Sequence, residues 1–139
     1  MFLVYTDNSR YASKIEKKKI NQIQNKKKYY FEILKIVKEA LNILEKNKKI
    51  DLIGNLLDKY WKIKKNLSNN VADKRINILY EKGIKSGALG GKLLGAGGGG
   101  FMLFYCPKQN HKRFKKKMNK HHITNFNFTN EGSTIIHSS

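Results

Sequence analysis

Seven glycines crowd positions 90 to 100 of this chain, in the stretch "GGKLLGAGGGGFMLFYC" that runs on to Cys106. Glycine lacks a Cβ, so such a loop takes positive φ at little steric cost and lets backbone N–H groups approach an anion closely. Cradling of a phosphate group is the chemistry this stretch could do. Two plainer readings compete with it: a flexible linker and a purely structural tight loop. A linker fits poorly, because the run is preceded by Lys92-Leu93-Leu94 and passes straight into Phe101 to Tyr105, an apolar stretch closed by Pro107 that has the pattern of a buried strand. No "GK[ST]" follows the glycines, and the element behind them is a strand where a P-loop or a dinucleotide fingerprint needs a helix.

A second candidate lies near the start, at Ser9 and Arg10 in "TDNSR". Arginine is scarce here, and its planar fork holds an anion bidentately. The competing account is a salt bridge to a neighbouring helix. Other reactive types point nowhere. A single Cys106 excludes an internal disulfide framework and a cysteine-built metal site, and its place at the end of an apolar strand favours a small buried hydrophobe. His111, His121, His122 and His137 lack metal-ligand spacing with a carboxylate on one helical face. The ten acidic residues are scattered among lysines as surface ion pairs, with no catalytic pair and no metal site among them.

The elements that must position these residues are limited by a length of 139 residues, enough for one domain spanning 1–139 with a modest core. A formal charge of +19 invites a polyanion as partner, so a basic nucleic-acid or polyanion binding domain is the alternative reading. Against it, 26 lysines stand beside three arginines and no interleaved aromatic pattern, with the lysines spread over solvent faces. A specific nucleic-acid partner is not expected. No stretch reaches the length of a membrane span and residues 1 to 15 lack the order of a signal peptide, so the expectation is a cytoplasmic chain with no membrane partner.

"MFLVYT" reads as a strand with which the chain begins directly, as a fragment of something larger would. Polar capping residues at 7–9 lead into a helix over about 10–24. Apolar positions Phe31, Leu34, Val37, Leu41 and Leu44 predict an amphipathic helix over 29–44. A second runs over 51–65, with Tyr60 and Trp61 on its core face, and another over 71–82 is capped by Gly83. After the glycine loop and strand come a basic helix over 109–120 and two strands, 123–128 and 133–137, joined by "NEG". That order makes an α+β domain.

"SGALGGKLLGAGGGGFMLFYC", Ser86 to Cys106, resembles the third motif of the galactokinase, homoserine kinase, mevalonate kinase and phosphomevalonate kinase (GHMP) superfamily, nearest to the kinases of D-glycero-D-manno-heptose 7-phosphate. "FLVYT", "SRYAS", "YWKIKKNLS", "RINILYEKGIKSGALGG" and "EGSTII" extend the likeness to nearly the whole chain, as successive parts of the C-terminal half of those enzymes. The resemblance implies a ferredoxin-like C-terminal domain with an added helical segment. It further implies transfer of the ATP γ-phosphoryl group to the anomeric hydroxyl of a sugar phosphate, with ATP and Mg²⁺ bound mainly by an N-terminal half that this chain lacks and needs as partner. Gly95, Ala96, Gly97, Gly98 and Gly99 match the family's loop. Lys92 before it becomes either a cation facing phosphate or a solvated lysine, and Ser9 with Arg10 a site for the sugar 7-phosphate. Asp7 departs from the glycine usual in the "TG.SR" stretch, which touches the turn there and any sugar contact it makes. A homodimer through the apolar face is a further expectation.

Overall fold

The computed structural model describes residues 1–7, 23–46, 48–67, 72–95, 98–129 and 132–135. Its elements are β1 (Phe2–Tyr5), α1 (Ile23–Glu45), α2 (Asp51–Leu67), α3 (Lys74–Lys85), β2 (Gly90–Leu93), β3 (Phe101–Tyr105), α4 (His111–Lys117) and β4 (Ile123–Thr124). The four strands form one antiparallel sheet in the order β2-β3-β1-β4. This is the β-α-β-β-α-β order of a ferredoxin-like fold, with three helices in the first crossover where two-layer packing needs one, so the α+β expectation with an added helical segment holds.

Register explains the core. Val4 faces Met102, and Met102 faces Leu93 on its other side. Because strand side chains alternate, Phe2, Val4, Leu93, Met102 and Phe104 all reach one face and are buried there. Helices α2, α3 and α4 close that face with Trp61, Ile76, Leu79, Tyr80, Phe114 and Met118. Phe114 stacks on Phe2 with ring centroids 5.0 Å apart and meets Phe104 at 5.5 Å.

Several sequence expectations are corrected. The helix expected over 71–82 starts at Lys74, because Asp73 caps it by accepting from the Ile76 N–H at 2.9 Å. It runs through Gly83 to Lys85, and Ser86 ends it, followed by Gly87 at φ 112°. Gly83 is a packing position: a Cβ there would enter the Phe104 ring. The basic helix is one turn of 3-10 helix, Lys108–Asn110, followed by seven α-helical residues. β4 is shorter than expected, Ile123–Thr124, paired with Val4 and Leu3 of β1. Gly132–Ile135 form no strand, while the rest of the expected strand and the "NEG" turn lie largely outside the described residues.

The helix expected over 29–44 is longer, and its exposed face is the one the periodicity had singled out. Phe31, Leu34, Val37, Leu41 and Leu44 remain open, Phe31 by 63%. Ile33, Ile36, Ala40 and Ile43, at the same helical spacing, are the partly or fully buried ones where α1 packs along α2. Helix α1 is thus apolar on two sides. The polar helix expected over 10–24 falls outside the described residues apart from Ile23 and Gln24, which open α1.

Candidate functional site

Strand β2 was invisible to propensity. Gly90 and Gly91 are poor strand formers, yet both positions need glycine for space. A Cβ on Gly90 would strike the Gly54 carbonyl of α2, and one on Gly91 would lie 2.5 Å from the Leu103 carbonyl oxygen. The consequence is a hairpin, β2 to β3, with the glycine loop as its turn. Leu94 N–H donates to the Phe101 carbonyl at 2.9 Å and closes it.

The loop is fastened from outside at both ends. At its far end Thr6 donates through its N–H and its Oγ1, each at 2.9 Å, to the Gly100 carbonyl. At its near end the Lys64 ammonium donates to the carbonyls of Leu93 (2.9 Å) and Gly95 (2.8 Å). Gly95, Gly98 and Gly100 take φ of 67°, 78° and 93°, the left-handed region that side chains avoid. A Cβ on Gly95 or Gly100 would meet nothing within 4 Å, so the chain leaves space beside the backbone at these two positions, while Gly98 between them is buried.

Of the candidate residues, Lys92 is brought beside this loop. Its Nζ lies 4.3 Å from the centroid of the Tyr60 ring, a cation–π contact, and the side chain is half-buried. Desolvation pulls its pKa below the usual lysine value, and burial pushes that of Tyr60 up. Tyr60 is half-buried and lies outside the core cluster, a correction to the core-face expectation. Two ammonium groups lie near its ring, the second being Lys64 Nζ, 5.8 Å from the centroid. Trp61 beside it is fully buried, as its place on the helix stripe predicts. Gly95, Gly98 and Gly99 lie on the hairpin turn, whereas Ala96, Gly97, Ser9 and Arg10 are outside the described residues.

Lys64 is the residue that sequence reasoning missed. Taken as one solvated lysine among many, it is 5% exposed, in contrast to Lys59 and Lys62 on the same helix. The available signal was its helical position: Lys64 follows Tyr60 by four residues and Trp61 by three, on the flank of the buried stripe.

Around this hairpin two tyrosine hydroxyls tie α2 to its neighbours, one on α3 and one on β3. Tyr80 donates to Asp58, which also pairs with Lys62 at 2.7 Å, and burial and that carboxylate hold the Tyr80 hydroxyl far above its ordinary pKa. Tyr105 donates to Asp51 at 2.7 Å and is pushed up to about 12, first by burial and then by Asp51. Cys106 is buried, its Sγ within 3.5 Å of the Gly87 carbonyl, and desolvation raises its pKa, the opposite of an activated thiol. Asp7, the departure at the end of β1, is the one described non-glycine residue at positive φ, 52°.

A glycine turn at positive φ, closed by an internal cation at one end and flanked by a half-buried lysine, fits an anionic group such as phosphate. For a divalent metal the described residues offer no cluster of three carboxylate, imidazole or thiol groups, so Mg²⁺ is not assigned to them. Among described residues no helix is long and apolar enough to cross a membrane. The family described as "GHMP kinases C terminal" matches residues 43–124, which contain α2, α3, the whole hairpin and β4.

The chain belongs to the GHMP kinase family, as its C-terminal domain.

It is 30% identical over 135 residues to a D-glycero-alpha-D-manno-heptose 7-phosphate kinase of Campylobacter jejuni, an alignment covering 94% of this chain and 39% of that protein. Among solved structures it resembles the mevalonate kinase of Methanococcus jannaschii, with a TM-score of 0.75 and 28% identity over 88% of this chain and 37% of the other. The L. major mevalonate kinase solved with R-mevalonate shares the fold at a TM-score of 0.71 and 18% identity, over 86% and 37% of the two chains. This GHMP domain therefore spans less than two-fifths of the length of these relatives, which are kinases.

Proposed function

We propose that residues 1–139 form the C-terminal module of an ATP-dependent kinase that phosphorylates the anomeric hydroxyl of D-glycero-D-manno-heptose 7-phosphate, giving the 1,7-bisphosphate. The module works with a nucleotide-binding half and is inactive or nearly so without it. The observation that supports this reading is the hairpin turn, with Gly95, Gly98 and Gly100 at positive φ, in a chain 30% identical to a heptose 7-phosphate kinase. In the reaction the anomeric oxygen attacks the γ-phosphorus of ATP, the bond to the β–γ bridging oxygen breaks and ADP leaves, while the hydroxyl proton passes to solvent water. Such transfer depends mainly on positioning and on neutralising spread negative charge. Mg²⁺, held by the other half, would supply part of that neutralisation.

This chain's contribution is placement. Gly95 to Gly99 approach the reacting phosphates with backbone alone, and Lys92 lends a cation beside them. Ser9 and Arg10 hold the sugar 7-phosphate. The open apolar side of α1 supports a module that works against a further domain, since an apolar face of that extent on a single domain marks an interaction surface. The setting is cytoplasmic, where ATP and sugar phosphates are found. A polyanion-binding role gives the glycine turn no task.

The test is phosphorus NMR of ATP, Mg²⁺ and heptose 7-phosphate with the chain alone and with the remaining length of the Campylobacter relative added as a separate polypeptide. A new anomeric phosphate signal in the mixture alone is expected. No product with a folded chain in either sample would overturn the reading, and product from the chain alone would move the nucleotide site into these 139 residues.

A further inference from the structure

Lysine on a helix flank ordinarily snorkels its ammonium into water, as the exposed Lys59 and Lys62 of α2 do. Lys64 does not. Enclosing an ammonium is costly unless good partners hold it, and a position needed only for packing is better filled by leucine or methionine. The partners here are specific. They are the carbonyls of Leu93 and Gly95, the last residue of β2 and the first glycine of the turn, and they flank Leu94, whose own N–H closes the hairpin.

We infer that Lys64 is a positioning residue for the glycine turn, an internal cation that sets the direction of its backbone without touching the ligand. The need for such a clamp follows from composition. Glycines have the most conformational freedom to lose, so a turn made of them does not hold one shape by itself. Its shape is imposed from both sides, by Thr6 on the Gly100 carbonyl and by Lys64 on Leu93 and Gly95. A trans peptide sets its C=O and N–H in opposite directions, so the ammonium that holds the Leu93 carbonyl on one side also fixes the Leu94 N–H, on the other side of the same peptide plane, in the hairpin bond to the Phe101 carbonyl. Its buried charge also favours an approaching anion, because the field of an enclosed cation is weakly screened. Both lysines approach the Tyr60 ring, Lys92 Nζ at 4.3 Å and Lys64 Nζ at 5.8 Å from its centroid, but Lys92 is half-exposed whereas Lys64 is buried on the turn's carbonyls.

That the anion is phosphate rests on the proposed function; that Lys64 shapes the turn does not, and the experiment separates them. Backbone amide exchange is measured on the full chain, wild type against Lys64→Met, Lys64→Gln and Lys64→Arg, with exposed Lys59→Met as a control of equal charge loss. Removing a charged hydrogen-bond donor should speed exchange of the Leu94 amide, which closes the hairpin, by about tenfold to a hundredfold, with β1 unchanged. Lys64→Arg should restore part of the protection. In parallel, tripolyphosphate is titrated by phosphorus NMR, and Lys64→Met should weaken its binding about tenfold more than Lys59→Met does. Should Lys64→Met unfold the chain, Lys64→Gln decides: faster exchange confined to the turn supports the clamp, and unchanged turn exchange overturns it. A turn that loosens while wild type ignores tripolyphosphate upholds the clamp and removes the phosphate reading.

Discussion

Helices α1 and α2 lie side by side, and both carry apolar residues at helical spacing, but only one has that surface closed. Helix α2 turns Leu56, Trp61 and Leu67 inward and stands between the sheet and α1. Helix α1 offers its Ile33, Ile36, Ala40, Ile43 side to α2 and leaves Phe31, Leu34, Val37, Leu41 and Leu44 facing solvent. The lesson is that a periodic stripe reports a face that gains from being covered, not the identity of what covers it. A helix apolar on two sides belongs between two layers, and the described residues supply one.

The sharpest way to break the comparison is to cut into each helix. Trp61→Ala removes a fully buried ring from α2 and should cost about 3–5 kcal/mol, read as a large fall in the denaturation midpoint. Ile43→Ala, on the closed side of α1, should cost about 2–4 kcal/mol if α1 is truly held by α2, whereas a small effect would mean that the helix pair is loosely joined. Asp73→Ala removes the cap of α3 and should cost about 1 kcal/mol by the same measurement. The combined change Leu34→Gln, Val37→Gln and Leu41→Gln, on the open side, should shift stability by no more than about 0.5 kcal/mol per site while reducing self-association in sedimentation velocity. A loss several times larger would show that this face is covered after all.

A pH experiment sharpens the account of how α2 is anchored. The Tyr105 hydroxyl, donating to Asp51 at the start of α2, has its pKa raised from 10.0 to about 12. Its contribution is complete below the unfolded value near pH 10 and is lost as pH rises toward 12, because the unfolded chain releases that proton first. Tyr105→Phe should flatten this part of the stability profile measured by denaturant titration at each pH.

How much was legible beforehand follows the same division. Strands β1 and β3 and the helix cores could be read, because continuous apolar runs and 3.6-residue spacing are local signals that burial reinforces. The fold class came from their order. Strand β2 could not be read, since Gly90 and Gly91 are there for what presses on them, the Gly54 carbonyl and the Leu103 strand, and no local propensity carries that fact. The same holds for Gly83, which looks like a helix stop and serves as the seat of a ring. At the candidate site, the glycine turn and Lys92 were visible by type and spacing, but Lys64 was hidden among 26 lysines because its burial is decided by the hairpin that lands on it. The stripe chosen for α1 was the wrong one for a related reason. Both sides have the right period, and only the neighbouring helix picks between them.

The contact between Gly54 and Gly90 has a use for anyone redesigning this domain. Helix and strand meet there through the Gly54 carbonyl and Gly90, with the Tyr105 ring lying against Gly54 beside them. Exchanges elsewhere in the sheet that spare Gly54, Gly90 and Tyr105 leave in place the point from which the glycine turn departs, so the hairpin is a fixed reference on which a different turn could be grafted.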